Sequence, residues 1–467
     1  MKTRKLTAAV TALIMALTMA SCGNTYSTVD GIADSGSVND STVISEQGDA
    51  ANGGSGKENE TVSSEDVTDG QSVSDSDRCI EEAGFCSNHD PLDEEYKQAS
   101  FDFAAELFRR VCAKSADKGV NVMISPSSVM QALALGANGA GGETLAEFEK
   151  LLGGKLTIDE INRNLRSQIT SIMESEDVKF SAANSIWVRE QESRSFRDDY
   201  RQNCRINLNA ENYAVPFDQT GVETINAWIE KNTNGMIKKM LDSLSPEDLC
   251  VLVNCIAFEG EWNGEYPESS INENGKFLNA SGKQEDCVML TSREGEYIKE
   301  QGVEGFCKYY KGKKYKFAAM LPEEGSSVKE LAESMTGERL SELLGNVNTN
   351  YSVEAVIPEF TFDYGVTSIA GEIQDMGLKS AFSDRADFSK MSGDPVFFGD
   401  ILHKTHIELD RKGTKAAAAT GILMKTTSVE KPKQQVTVKL DRPFMFAIVD
   451  ANTNLPVFMG IVNSVKQ

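Results

Sequence analysis

Residues Lys412–Ser428 read KGTKAAAATGILMKTTS, a run of small, hydroxylated and apolar residues near the C-terminus. Alanine has the highest intrinsic helix propensity, so the four consecutive alanines Ala416–Ala419 by themselves predict helix. Thr420 and Gly421 follow directly and are poor helix formers. The local sequence therefore does not fix one secondary structure, and the flanking segments must decide what it becomes.

The first third of the folded part has helical patterning. In FDFAAELFRRVCAKS (residues 101–115), apolar side chains recur at helical spacing, at Ala104, Leu107, Phe108 and Val111. A Ser-Pro pair at Ser125 predicts the start of another helix. Gly136–Gly142 (GANGAGG) lacks the spacing of a dinucleotide loop and is predicted to be a turn between two helices.

Strand patterns dominate the second half of the chain. The clearest runs are LCVLVNCIAF (249–258), KYKFAAMLP (314–322), YSVEAVIPEF (351–360) and KTHIELD (404–410). The C-terminal residues 434–465 predict three more strands with a turn at Asp450–Asn454. Helices early and strands late predict an α+β domain of roughly 370 residues built on antiparallel sheets.

Acidic residues are concentrated near the N-terminus. The formal net charge is −24, and residues 23–95 hold 18 Asp and Glu against 2 Lys and Arg. This Ser-, Gly- and Asp-rich segment has almost no aromatic residues and cannot bury enough apolar surface to fold, so it is predicted to be a disordered tether. The overall acidity argues against nucleic acid as a partner, because phosphate binding needs clustered Lys and Arg.

Residues 1–22 are predicted to be an export signal. A basic start precedes a short apolar core, LTAAVTALIMALTMA (residues 6–20), which is too short for a comfortable membrane span. The ending MASC resembles a bacterial lipobox, which predicts a lipid anchor at Cys22 and an extracellular or cell-surface location. An ordinary cleaved signal is the alternative. Cys79 and Cys86 are a candidate disulfide in the exported segment.

Sequence patterns for catalysis or metal binding are absent. The chain has no G-x-S-x-G, H-E-x-x-H, Walker or EF-hand pattern and no C-x-x-C pair. His403 and His406 lie three apart on a predicted strand and so point to opposite faces, which predicts a structural His bonded to backbone or to a hydroxyl. We expect no metal and no cofactor. An enzyme with an unrecognised Ser nucleophile is the weaker alternative. The remaining cysteines are predicted to be small buried apolar residues: Cys112, Cys204, Cys250, Cys255, Cys287 and Cys307.

Eight segments between about Tyr96 and Val465 resemble one family in their order and sequence. They are NVMISPSSVMQALALGANGAGGET, INAWIEKNTNGMI, LVNCIAFEGEW, IPEF, MGLKSAFSDRADFS, HKTHIELDRKGTKAAAAT, LDRPFMFAIVD and VFMGIVNSV. Residues 96–467 are thereby identified as resembling the serpins, a family of suicide protease inhibitors. The resemblance implies a helical bundle packed on three mainly antiparallel sheets. It also implies an exposed, insertable reactive-centre loop at about residues 411–435.

The resemblance implies an irreversible mechanism for this loop. A serine protease is acylated by the loop, which then enters the large sheet as a new strand and distorts the protease before water releases it. The hinge must bend easily, and alternate residues must fit a buried strand face. The residues that the resemblance assigns to the hinge and inserting strand are Gly413, Thr414, Ala416, Ala417, Ala418, Ala419 and Thr420.

The alternation along the loop suits such an insertion. The residues that would share the buried face are small at first and then apolar: Thr414, Ala416, Ala418, Thr420, Ile422, Met424 and Thr426. Lys415 and Lys425 fall on the opposite face. One departure from the family is Arg411, where many inhibitory serpins carry Glu, and we interpret it as a tolerated surface change at the loop base.

Family spacing places the reactive bond between Thr427 and Ser428, which suits an elastase-like or subtilisin-like serine protease. A bond between Lys425 and Thr426 is the alternative and predicts a trypsin-like target, whose pocket carboxylate pairs with Lys. A non-inhibitory serpin acting as a binding or chaperone module is the other alternative. We expect a monomer that forms a covalent 1:1 complex with extracellular serine proteases and reaches a membrane only through its lipid anchor.

Overall fold

The computed structural model describes residues 85–115, 119–245, 248–414 and 433–466, apart from the side chains of 366–367. Within these residues it contains nine α-helices: α1 Glu94–Ser115, α2 Pro126–Gly139, α3 Gly142–Gly153, α4 Ile158–Met173, α5 Asp198–Leu208, α6 Gln219–Asn232, α7 Val328–Glu333, α8 Gly337–Gly345 and α9 Ala370–Asp375. None of these helices is both long enough and apolar enough to cross a membrane.

The described residues also form sixteen strands: β1 Val122–Ile124, β2 Val178–Arg189, β3 Ala210–Val215, β4 Cys250–Glu261, β5 Ile271–Leu278, β6 Gln284–Glu294, β7 Glu296–Glu300, β8 Val303–Tyr309, β9 Tyr315–Pro322, β10 Tyr351–Pro358, β11 Phe360–Ser368, β12 Leu402–Leu409, β13 Gly413–Thr414, β14 Gln434–Lys439, β15 Phe444–Asp450 and β16 Pro456–Val462. The strands predicted from the sequence are therefore confirmed, including the three at the C-terminus and the turn between the last two.

The strands are arranged in three sheets. Sheet I has the order β11-β12-β13-β4-β2-β3, sheet II β1-β16-β15-β9-β8-β7 and sheet III β14-β10-β6-β5. Neighbouring strands are antiparallel except for the parallel pairs β2–β3 and β10–β14. This topology confirms the predicted α+β class with three mainly antiparallel sheets.

Helices pack on sheets I and II through the apolar faces that the sequence pattern predicts. In α1 all four residues of the predicted face are buried: Ala104, Leu107, Phe108 and Val111. Burying one large apolar side chain stabilises a fold by about 1.5–3 kcal/mol. A second apolar cluster fills the space between the sheets, and a smaller one joins α6 to β4 through Trp228 and Val253.

The start of α2 is as predicted, but its end is not. The Ser125 side chain caps the helix by accepting the Ser128 N–H at 3.2 Å, and Pro126 is the first helical residue. The predicted turn between two helices is present but shorter than Gly136–Gly142, because α2 continues through Gly139 and α3 begins at Gly142. A Cβ at Gly136 would lie 2.4 Å from the Phe398 ring. Gly136 therefore serves close helix packing, whereas Gly141 and Gly142 lie at the turn.

The folded part begins before residue 96, which corrects the predicted boundary. Helix α1 starts at Glu94, and residues 85–93 bond to the body ahead of it. The Cys86 N–H donates to the Ile206 carbonyl at 3.1 Å, and the Asp93 carboxylate contacts Arg163 at 2.6 Å. Cys86 is disulfide-bonded, and its partner is none of the six free cysteines of the described residues. The proposed partner Cys79 lies outside the described residues.

Candidate functional site

The chain leading into the predicted loop lies inside sheet I. After β12, residues Asp410–Lys412 turn, and β13 then pairs with β12 on one side and with β4 on the other. The Asp410 carboxylate accepts the N–H of Lys412 at 2.7 Å and of Gly413 at 3.1 Å, which fixes the turn. The last described residue before the loop, Thr414, is buried between the two strands.

Gly413 is required by close approach of the backbone. Its φ of +157° is one that other residues rarely adopt, and a Cβ there would lie 2.0 Å from the Gly260 carbonyl oxygen. Gly413 and Thr414 are the only predicted hinge residues that the described ranges include. The other predicted residues of the loop lie outside them: Ala416, Ala417, Ala418, Ala419, Thr420, Lys425, Thr426, Thr427 and Ser428. Cys22 also lies outside them.

Two stacked aromatic rings hold the base of the loop. The Trp262 indole N–H donates to the Asp410 carbonyl at 3.0 Å, and the Trp262 backbone N–H donates to the Lys412 carbonyl at 2.9 Å. The Trp262 ring stacks on Tyr310 with centroids 4.6 Å apart. The Tyr310 hydroxyl contacts the Thr414 hydroxyl at 2.7 Å. The turn and the end of β13 are therefore both bonded to these rings.

Arg411 is more than a tolerated surface residue, which revises its interpretation from sequence. Its guanidinium binds the Glu359 carboxylate through two N–H donors, at 2.9 and 3.2 Å, and contacts Glu273 at 3.1 Å. These hydrogen bonds raise the pKa of Arg411 further above its already high ordinary value. Acidic partners therefore compensate for the basic residue at this position.

A cavity of about 370 Å³ lies between β4 and β12, farther along sheet I from β13. Its walls are mostly apolar and include Met240, Leu241 and Phe398. The segment between α6 and β4 lies at its edge. Asn226 fastens that segment by accepting the N–H groups of Met240 and Leu241 at 2.8 and 3.0 Å. Beyond β13, strands β4 and β12 are therefore separated by this cavity.

A cluster of buried polar side chains reaches the same cavity. The Asn254 amide on β4 donates to Asn184 at 2.9 Å and to Gln131 at 3.3 Å, and it accepts from the Ser128 hydroxyl. Sequence reasoning missed this cluster. The signal for it was a single Asn in the middle of the apolar run LCVLVNCIAF, because a buried amide needs polar partners.

His403 on β12 faces this cavity. Its Nε2 accepts the Ser125 backbone N–H at 3.1 Å, and burial lowers its pKa to about 4, so the ring is neutral at pH 7. His406 points to the other face and contacts Asp363 at 2.9 Å. The predicted opposite orientation and the backbone-bonded role of a strand His are both confirmed. In the described ranges no three His, Cys, Asp or Glu side chains form a group that could hold a metal ion.

Four of the six scattered cysteines are buried as predicted, and Cys250 and Cys287 are partly exposed. Cys112, Cys204, Cys255 and Cys307 are buried, and desolvation raises the pKa of each thiol. All six cysteines of this group are free thiols. The four buried ones pack in the apolar clusters as small apolar residues.

Comparisons with known proteins agree with this architecture. The family model for "Serpin (serine protease inhibitor)" matches residues 98–465. An uncharacterized serpin-like protein of Thermococcus kodakarensis is 28% identical over 364 residues, which cover 77% of this chain and 83% of that protein. The protein Iris of Ixodes ricinus is 26% identical and covers 77% of this chain and 97% of its own length.

Solved structures show the same fold. The thermophilic serpin Tengpin in its native state is 36% identical, with a TM-score of 0.71 over 81% of this chain and 96% of its own. Thyroxine-binding globulin in complex with thyroxine is 22% identical, with a TM-score of 0.69 over 79% of this chain and 99% of its own, and so supports the fold alone. Serpins are generally inhibitors of proteases rather than catalysts. With a family match across most of its length and a strand-flanked loop base in sheet I, this chain belongs to the serpin family.

Proposed function

We propose that the protein is an exported suicide inhibitor of elastase-like or subtilisin-like serine proteases, with its reactive bond between Thr427 and Ser428. The observation that carries the proposal is the position of β13, which already lies between β12 and β4. A loop that continues from Thr414 has a direct path into the sheet.

The register of β13 supports insertion of the following residues. Thr414 lies opposite Gly260 on β4 and Leu409 on β12. Continuing both antiparallel registers by four residues would bring Ala418 between Ile256 and Thr405, which are both buried. Two residues further, Thr420 would come between Asn254 and His403, where polar groups border the cavity. The small Ala418 therefore suits its buried neighbours, and the hydroxyl of Thr420 suits its polar neighbours.

The proposed trapping reaction consumes one loop bond for each protease molecule. The serine hydroxyl of the protease attacks the Thr427 carbonyl carbon, and its proton passes through the protease histidine to the amine of Ser428 as that bond breaks. The product is an ester between the protease and Thr427. Insertion of the loop then distorts the protease, so that water does not hydrolyse the ester.

The first test is incubation of the purified protein with pancreatic elastase, subtilisin and trypsin. We expect a covalent complex that resists heat and detergent, and a released peptide that begins at Ser428. A peptide that begins at Thr426 would move the reactive bond to Lys425 and the target to trypsin-like proteases. Cleavage without any stable complex would refute inhibition and favour a binding or chaperone role.

A pair of substitutions tests insertion separately from cleavage. Ala418→Arg would put a charge on the proposed buried face, and we expect the amount of inhibitor consumed per trapped protease to rise at least about tenfold, because an unpaired buried charge costs several kcal/mol. Ala417→Arg is the matched control on the opposite face of the strand, the face of Lys415 and Lys425, and the register puts it between the partly exposed His406 and Ala257. Equal effects of both variants would contradict the proposed register.

We further propose that residues 23–84 tether this domain to a lipid anchor at Cys22, outside the cytoplasm. This proposal rests on the export-signal pattern and on the acidic, apolar-poor composition of the segment. Mass spectrometry of the mature N-terminus tests it. A diacylated Cys22 is the expected result, and an unmodified N-terminus elsewhere would refute it.

A further inference from the structure

Sheet II contains a buried charged side chain that the proposed mechanism does not use. Lys308 on β8 has a side chain only 7% exposed, and its ammonium lies 2.9 Å from the Glu294 carboxylate, which is 14% exposed. Lysine is rarely buried, because removal of its charge from water is costly unless a partner and further contacts compensate. The burial of this ion pair therefore calls for a structural or functional explanation.

The other contacts of the Lys308 ammonium are aromatic. It lies 4.6 Å from the centroid of the Tyr266 ring and 5.2 Å from that of the Trp262 ring, which are cation–π distances. The electrostatic attraction to a ring face depends on how the ring is turned. The orientation of Trp262 and the position of the buried charge are therefore coupled.

Trp262 is the residue that holds the base of the loop, through its indole N–H to Asp410 and its backbone N–H to Lys412. Glu294 is itself fixed by the Ser292 hydroxyl, which donates to it at 2.6 Å. A continuous series of contacts thus connects the Glu294 carboxylate, Lys308, Trp262 and the loop base.

We propose that Lys308, neutralised by Glu294, is a positioning residue that holds Trp262 against the base of the loop. Its consequence for inhibition rests on the proposed function: with Trp262 fixed, residues 410–414 stay in register with β4 and β12, so the loop enters the sheet along one path. Without that restraint entry is slower, and the acylated protease has more time to escape by hydrolysis.

The test uses a variant that removes both charges, Glu294→Gln with Lys308→Met, so that no unpaired carboxylate is left buried. Lys308→Arg is the conservative variant, and Lys299→Met is the matched control, since Lys299 on β7 is 49% exposed and contacts only the exposed Glu323 among the described acidic residues. Hydrogen–deuterium exchange of the amides of residues 410–414 is measured beside that of β9, which is buried throughout. This readout does not require inhibitory activity.

We expect exchange at residues 410–414 to rise about fivefold in the double variant, the effect of losing one hydrogen bond of ordinary strength. Exchange in β9 stays unchanged. Lys308→Arg keeps most of the wild-type protection at residues 410–414, and Lys299→Met has no effect on it. With a protease that the wild type traps, the double variant yields about fivefold more cleaved inhibitor per complex. Unchanged protection at 410–414, or an equal loss in β9, would show a structural role only and overturn the proposal.

The two proposals fail in different ways. If the wild-type protein traps none of the proteases, the inhibitory function is refuted, while the exchange experiment still decides whether Lys308 positions Trp262. If the wild type traps a protease and the double variant behaves as the wild type in both measurements, the positioning role is refuted and inhibition stands. If the double variant does not fold, Glu294→Gln alone is measured instead, since it removes the carboxylate that fixes the Lys308 ammonium. A rise in exchange at residues 410–414 that Lys308→Arg and Lys299→Met do not show supports the positioning role, and unchanged exchange refutes it.

Discussion

Removal of the Arg411 guanidinium tests how firmly the loop base is held. Arg411 binds Glu359 through two charge-assisted hydrogen bonds and contacts Glu273. Hydrogen bonds to charged groups contribute about 1.5–3 kcal/mol, whereas fully exposed ion pairs contribute less than about 1 kcal/mol. The Arg411 side chain is 38% exposed and Glu359 is 21% exposed, so solvent screens the pair in part. We therefore expect the pair to contribute about 1–2 kcal/mol.

The assay is the rate at which the native protein is lost, because the operational stability of a protein that unfolds irreversibly is a rate. If the loop base detaches before the barrier is crossed, Arg411→Ala should accelerate unfolding in urea by about 5- to 30-fold, since each 1.36 kcal/mol is tenfold in rate. Arg411→Glu should be faster still, because it sets a third carboxylate against two others. High salt should narrow the difference from the wild type.

Two variants control for other causes. Lys412→Ala removes the same charge from the adjacent exposed residue and should leave the rate within about twofold of the wild type. The exchanged pair Arg411→Glu with Glu359→Arg should recover part of the stability that Arg411→Glu loses. The reasoning is refuted if Arg411→Ala unfolds at the wild-type rate, or if the exchanged pair is no more stable than Arg411→Glu.

Three further predictions concern β12, the start of α2 and β13. Burial lowers the pKa of His403 to about 4 from 6.5; the unfolded state therefore binds more protons between these values, and stability should fall by up to about 3 kcal/mol as pH drops from 6.5 to 4. Urea unfolding at both pH values, with His403→Gln showing a flatter profile, checks this. Ser125→Ala removes the cap of α2 and leaves the Val457 carbonyl without its 2.8 Å donor, so equilibrium unfolding should show a loss of about 1–2 kcal/mol. Gly413→Ala should displace β13 from Gly260, and increased proteolytic cleavage at residues 410–414 would report it; wild-type resistance would contradict the steric argument.

Local patterns predicted the elements well where one face had to be apolar. The buried side of α1 and the alternating strand β12 follow from periodicities of 3.6 and 2 residues, which depend only on near neighbours in sequence. Strands β9 and β16 are instead buried along their whole length, and their continuous apolar runs indicated them. The same reasoning failed at Gly136–Gly139, where glycine usually marks a turn. There Phe398 and Met391, both distant in sequence, pack so closely on the helix that Gly136 and Gly139 have no room for a Cβ.

The site was predicted less completely than the fold. Gly413 and Thr414 followed from the family resemblance, and the opposite orientations of His403 and His406 followed from their spacing. The partners of Arg411 and the cluster around Asn254 were not, because each joins segments more than 50 residues apart. No local pattern reports which acidic residue faces a given Arg after folding.

The sequence by itself determined the fold class, the family and the alternation that makes residues 414–426 suitable as an inserted strand, because these depend on residue type and spacing along the chain. Only the tertiary structure decided that β13 lies between β12 and β4, that Glu359 and Glu273 neutralise Arg411, and that Lys308 is buried against Trp262. Those contacts form between segments that folding brings together, so their energies depend on distance, burial and orientation in space.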